Sequence, residues 1–182
     1  MNLYILLASS GAGKSTVEAQ LRITPIVSTT TRSMREGEIN GIHYHFIKPE
    51  KFNFNDMAAM IQIGGNTEWK YGVSKLELML ALELNEDRII SIISSKYAKD
   101  LSDYAKSIGI NVKIIYLFVS REERINRLTK RGEGLESINA RLDFEDKLNI
   151  EELTLIFPDL IVINGEGTQE EVMKKTRKIK GV

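Results

Sequence analysis

The residues able to do chemistry gather in three places, the first of them near the start of the chain. Residues 8–16 read Ala8-Ser9-Ser10-Gly11-Ala12-Gly13-Lys14-Ser15-Thr16, after a short apolar run and ahead of a helical pattern. A glycine-rich turn in that setting folds its N–H groups around an oxyanion, and the helix behind it adds free donors and a partial positive charge. Lys14 is spaced to reach the β- and γ-phosphates of a nucleoside triphosphate, and the Ser15 hydroxyl to ligate Mg²⁺. The loop departs from G-x-x-x-x-G-K-[ST] at Ala8, which stands where the first glycine is usual. A bare strand-to-helix turn has no use for Lys-Ser-Thr, so the run is read as a triphosphate site.

The second group begins Ser28-Thr29-Thr30-Thr31-Arg32-Ser33-Met34-Arg35-Glu36-Gly37-Glu38. It continues with Gly41-Ile42-His43-Tyr44-His45-Phe46, then Glu68-Trp69 and Tyr71-Gly72-Val73-Ser74. Arg32 and Arg35 sit three apart beside a run of hydroxyls. Guanidinium forks and hydroxyls suit a dianionic monophosphate, and Tyr44 can add an O–H donor. The third group is Arg121-Glu122-Glu123-Arg124-Ile125-Asn126-Arg127-Leu128-Thr129-Lys130-Arg131-Gly132. Arg124, Arg127 and Arg131 share one helix face, which alone would be a charged solvent face partly paired with Glu122 and Glu123.

In this order the segments resemble the guanylate kinase family, whose pattern is S-x-T-T-R-x-x-R-x-G-E, then G-x-x-Y-x-F, then E-W or E-H, then Y-G-T-S. Ala8 is familiar in the loop of bacterial members. The resemblance runs from Leu3 to about Lys180. It implies a Mg²⁺-dependent enzyme that transfers a phosphoryl group from ATP to GMP, and to dGMP. By the same resemblance Ser10, Gly11, Ala12, Gly13, Lys14, Ser15 and Thr16 cradle ATP, with Asn164 near the adenine. Ser28, Arg32, Arg35, Tyr44 and Tyr71 hold the phosphate of GMP. Glu68 reads the base: a carboxylate accepts from guanine N1–H and N2–H₂, whereas adenine presents a lone pair at N1. Arg127, Arg131 and Arg141 converge on the transferring group as a lid, with Gly132 and Gly134 bracketing its turn. Arg124 is no motif position and keeps the reading of a solvated charge.

The chain departs from the family pattern in three ways. A single residue, Lys70, separates Trp69 from Tyr71, where a longer loop is usual. Val73 replaces a hydroxyl residue, so Ser74 must supply the contact to the guanine carbonyl. The Asp-x-Asp at the end of the second core strand is missing: Ser91 and Ile93 fall there, or Ser94 and Ser95 in a shifted register, with no carboxylate before Asp100. These changes predict an active enzyme that is slower or less selective for its base. The rival readings are a phosphate-loop kinase of another nucleoside monophosphate or a ribose phosphate, and a non-catalytic binding module of the same build.

The elements that must position these residues follow from the apolar pattern. Short runs at 3–7, 89–93, 112–119 and 160–163 read as buried parallel strands. Helical patterns at 14–21, 74–84, 96–107, 121–130, 137–156 and 168–180 alternate with them, which is the signature of an α/β sheet covered by helices. A strand-like stretch at 39–47, a helix at 51–61 and a short strand at 63–69 suggest an inserted α+β subregion. At 182 residues the chain is about one domain. Its core is expected at 1–31, 85–120 and 142–182, the GMP-binding insertion at 32–84 and the lid at 121–141.

Lys plus Arg is 25 and Asp plus Glu is 25, a net charge of zero that argues against a nucleic-acid or anionic-membrane partner. The acids balancing the site cations, such as Asp100, Glu122 and Glu151, are expected away from the site. There is no cysteine, which removes disulfides, thiolate metal sites and thiol catalysis. With no long apolar span and no signal-like start, a cytoplasmic enzyme is expected, a monomer or a homodimer. His43 and His45 lack a third metal ligand nearby, and the basic run from Lys174 to Lys180 reads as a helix end complementing its own dipole.

Overall fold

The computed structural model describes residues 1–63, 69–145, 150–167 and 169–177. Short Ile/Leu/Val runs become strands because they can be buried on both faces. β1 (Asn2–Leu7) is followed by the phosphate loop and α1 (Lys14–Leu21). The later core strands are β7 (Arg88–Ile92), β8 (Asn111–Phe118) and β9 (Ile161–Asn164), and a two-residue strand, β2 (Thr24–Pro25), joins them. The sheet order is β2-β7-β1-β8-β9, with β2 parallel to β7 and β8 parallel to β9. Helices alternate with these strands: α2 (Lys75–Glu83), α3 (Ser95–Ser107), α4 (Arg121–Lys130), α5 (Leu135–Glu145), α6 (Ile150–Ile156) and α7 (Gln169–Arg177). The α/β class expected from the alternating pattern is the class the chain adopts.

The chain divides into two compact units. One comprises Met1–Leu3, Thr24–Ile90 and Lys96–Val112. It holds a second sheet of order β4-β3-β6-β5, built from β3 (Thr29–Thr30), β4 (His45–Phe46), β5 (Met57–Ile63) and β6 (Trp69–Ser74). β6 runs antiparallel to both β3 and β5, and Thr30 pairs with Tyr71. Met57 and Phe52 pack directly on the bare backbone of Gly72 in β6, where a Cβ would stand 2.7 Å from the Met57 sulfur and 3.0 Å from the Phe52 ring and force them to shift. α3 supports this unit with a buried stripe of Tyr97, Ala98, Leu101, Ser102 and Ala105. The other unit comprises Tyr4–Ile23, Ser91–Ser95 and Lys113–Val182, and carries the phosphate loop and α4 to α7. Within it Leu128, Ile138 and Leu142 form a fully buried cluster, flanked by Ile125, that fixes α4 against α5.

Three expectations about elements are corrected. Residues 51–61 are not a helix: two 3₁₀ turns, Pro49–Lys51 and Phe54–Asp56, lead directly into β5. Apolar spacing at Phe52, Met57 and Met60 mimicked a helical face, but Asn53, extended between the two turns, caps the second by accepting from the Asn55 N–H and so breaks any continuous helix. Residues 39–47 hold only β4 and an isolated Asn40–Tyr44 bridge. The helix expected over 137–156 is two helices, α5 and α6, with 146–149 outside the described residues. Short strands such as β2 and β3 gave no pattern to read, since two residues establish no period.

Candidate active site

The phosphate loop is shaped by contacts within its own unit. Gly11, at φ 78°, leaves no room for a side chain: a Cβ would lie 3.0 Å from the Arg124 carbonyl oxygen and 3.1 Å from Leu128. The loop can therefore lie directly on α4. Lys14 folds over it, with Nζ donating to the carbonyls of Ala8 at 2.9 Å and Ser9 at 3.1 Å. Burial pulls the Lys14 ammonium below its ordinary range, against the opposing pull of Glu145 and Glu18. Ser15 and Thr16 lie in the first turn of α1, where the Thr16 N–H donates to the Gly13 carbonyl at 3.1 Å.

The three expected lid arginines have separate settings. Arg127 spans the site: its guanidinium donates to Glu123 at 2.8 Å, to the Ala12 carbonyl at 3.2 Å and to the Gly165 carbonyl at 3.0 Å. Arg131 caps the C-terminus of α4 and, with Ala12, Gly13, Thr16, Arg127 and Gly165, lines a cavity beside the loop. Arg141 pairs with Glu133. Asn164 lies next to the lining residue Gly165, with its side chain accepting from the Glu166 N–H.

Arg124 departs from its solvated reading. It is 6% exposed, and its Nε donates to the Val119 carbonyl, so it is an interior strut under the loop. Its place at i−3 from Arg127 put it on the same face, and only its packing distinguishes it. Two further residues were missed. Glu145 is buried with its carboxylate on Ser10, and Glu18 accepts from Ser91 Oγ at 2.6 Å. The serine standing where the family has a carboxylate thus holds one delivered by α1. Nothing in the spacing separates these acids from the many on helix surfaces.

The other unit gathers the expected acceptor residues. Arg32 is 5% exposed, with Nη2 donating to Glu38 at 2.6 Å and Nη1 donating to Glu38 at 3.0 Å and to the Ser33 carbonyl at 2.7 Å. Its guanidinium lies 5.6 Å from the ring centroids of both Tyr44 and Phe46. Tyr44 and Tyr71 meet edge to face at 5.9 Å, so the single-residue spacer at Lys70 leaves Tyr71 inside this cluster. Arg35 is exposed, and its backbone N–H donates to Glu38. Glu38 is held at about 2, well below its ordinary value, by Arg32 above all. Tyr97 is buried on α3, and that burial pushes its phenol up. Val73 is fully buried, and Ser74 Oγ accepts from the Glu77 N–H as the cap of α2. Glu68 lies outside the described residues.

The expectation that the balancing acids lie elsewhere is overturned. Glu38, Glu123 and Glu133 each pair with one of the site arginines, and Glu145 sits on the loop. Asp100 does lie apart, paired with Lys96 along α3. No group of three metal-binding side chains occurs among the described residues, and His43 is used as an acceptor for the Ile39 N–H.

A parallel α/β sheet with a glycine-shaped loop, a lysine over it and a spanning arginine defines a nucleotide-binding protein of the phosphate-loop class. The family described as guanylate kinase matches residues 1–176, and the chain belongs to the guanylate kinase family. It is 34% identical over 147 residues to a guanylate kinase of Pseudomonas fluorescens, covering 75% of this chain and 67% of that protein. It is 32% identical over 177 residues to one of Vibrio vulnificus, covering 90% and 80%. The solved guanylate kinase of Anaplasma phagocytophilum shares the fold, with a TM-score of 0.64 at 22% identity over 98% of this chain and 84% of that one. Among the described residues no helix is long and apolar enough to cross a membrane.

Proposed function

We propose that this chain is a guanylate kinase, transferring the γ-phosphoryl group of ATP to GMP or dGMP and releasing ADP and GDP or dGDP. The observation that carries the reading is the acceptor cluster: Arg32 buried, fixed by Glu38 and enclosed by Tyr44, Phe46 and Tyr71, in a chain that also keeps a complete phosphate loop. A bare triphosphatase has no need of a second preorganised phosphate clamp.

The nucleophile is an oxygen of the acceptor phosphate, whose second pKa is about 6, so it is already ionised at neutral pH. No general base is required. The new P–O bond forms as the bond to the β-phosphate oxygen breaks, and ADP leaves with that electron pair. What the protein must supply is alignment and charge stabilisation. In this reading Ser10 through Thr16 cradle ATP, Lys14 neutralises its phosphates and Asn164 adjoins the adenine. Arg127, Arg131 and Arg141 stabilise the transferring group. Ser28, Arg32, Arg35, Tyr44 and Tyr71 hold the acceptor phosphate, Glu68 reads N1–H and N2–H₂ of guanine, and the O–H of Ser74 faces the base carbonyl.

Mg²⁺ suits the residues present. This ion keeps most of its waters and is held through substrate phosphates with one or two protein ligands, so a cage of acids is not needed. Ser15 would ligate it, and Glu18, held by Ser91, would orient its waters. Bound there, it would neutralise charge developing on the β- and γ-oxygens. The site is read as that of a cytoplasmic enzyme acting on free nucleotides, as a monomer or homodimer.

A coupled ADP-release assay with GMP, dGMP, AMP, CMP and UMP tests this. Turnover is expected with GMP and dGMP. Preference for AMP would overturn the role of Glu68, and no turnover with any monophosphate would overturn the kinase reading.

A further inference from the structure

Glu145 ends α5 with its carboxylate buried, 7% exposed, and both oxygens committed to one residue of the phosphate loop. Oε2 accepts from the Ser10 N–H at 2.6 Å, and Oε1 accepts from Ser10 Oγ at 2.7 Å. A buried carboxylate is tolerated only where donors and countercharge meet it, and here the loop provides both. Of the groups that favour the charged form of Lys14, Glu145 is the strongest. Arg141 lies one turn earlier on α5, on the same side of the helix, paired with Glu133. An anion carried by the protein thus takes donors from the loop that must receive the anion of the substrate.

We propose that Glu145 is a built-in competitor of the triphosphate: without nucleotide its carboxylate holds the Ser10 donors, and ATP displaces it. A carboxylate and a phosphate cannot share one buried N–H without severe repulsion. Displacement frees the C-terminal end of α5, the helix that bears Arg141. Triphosphate binding is thereby coupled to release of a lid helix from the loop. The net affinity for ATP is the intrinsic affinity reduced by the cost of breaking two charge-assisted hydrogen bonds.

This inference rests on the kinase reading, and titration of ATP into wild type, Glu145→Gln and Glu145→Ala by calorimetry separates the two. Removing the charge should tighten ATP binding about tenfold, the factor that about 1.4 kcal/mol of lost competition is worth. Hydrogen exchange at the end of α5 should rise in wild type on adding ATP, and should already be raised in Glu145→Gln without it. Equal or weaker ATP binding by both variants would overturn the proposal, because a carboxylate that merely braces the loop predicts that sign. Wild type that binds no ATP would instead overturn the kinase reading, and the competitor with it.

Discussion

Arg32 in one unit and Lys14 in the other are both partly or wholly withdrawn from water, and they are satisfied in opposite ways. Arg32 meets a full countercharge: Glu38 takes its fork at 2.6 and 3.0 Å, and aromatic rings close around it. Lys14 is bonded to two neutral carbonyls of its own loop, and burial lowers its pKa. A cation already neutralised by its neighbours is rigid, and contributes orientation and selectivity more than raw attraction. A cation bonded only to dipoles, with Glu145 and Glu18 acting on it through space instead of in an ion pair, is electrostatically less complete, and an arriving phosphate completes it. The acceptor side is therefore set up to recognise, and the loop side to bind and stabilise charge.

The contrast is broken most severely at Lys14. Lys14→Ala should lower kcat roughly a thousandfold, about 4 kcal/mol of barrier, while leaving the KM for GMP within a few-fold of wild type. A steady-state assay varying each substrate in turn checks this, and a large change in the KM for GMP alone would place Lys14 on the wrong side of the division. Arg32→Lys keeps the charge but loses the planar fork. It should raise the KM for GMP about thirtyfold, about 2 kcal/mol of binding, and leave the KM for ATP unchanged. If lysine served as well as arginine there, the claim that geometry matters more than charge on the acceptor side would fail.

What the sequence revealed divides along similar lines. Lys14, Arg32 and Tyr44 were legible because glycine spacing and motif order give their surroundings away before any contact is known. The core strands were legible because a fully buried strand must be a short apolar run. Arg124 was not legible: it shares a helix face with Arg127, and only packing beneath Gly11 separates a strut from a solvated charge. Glu18, Glu133 and Glu145 were hidden by the zero net charge, whereas Glu123 was legible as a partner of its own helix face and Glu38 only as a motif position. The formal balance of 25 and 25 looks like a dispersed average, yet several of its acids stand on the site itself. Sequence spacing along a helix records which residues share a face. It does not record which residue from a distant segment that face will meet.

The gentlest way to sharpen the contrast is through pH. Glu38 has a folded pKa of about 2 against an ordinary value of 4.5, because it is ionised beside Arg32. A carboxyl group whose pKa is depressed by folding stabilises the fold fully above its unfolded value, and loses that contribution as pH falls toward the folded value. The window is therefore pH 4.5 down to about 2. Glu123 and Glu166 in the other unit are also depressed, so part of the acid sensitivity will remain when Glu38 is changed. Glu38→Gln should make the protein less stable than wild type at neutral pH and should shrink the difference as the solution is acidified through that window. Urea midpoints measured at intervals across it give the readout. Curves that stay parallel would mean that Glu38 titrates normally, and that Arg32 is fixed by its ring contacts and the Ser33 carbonyl instead of by a countercharge.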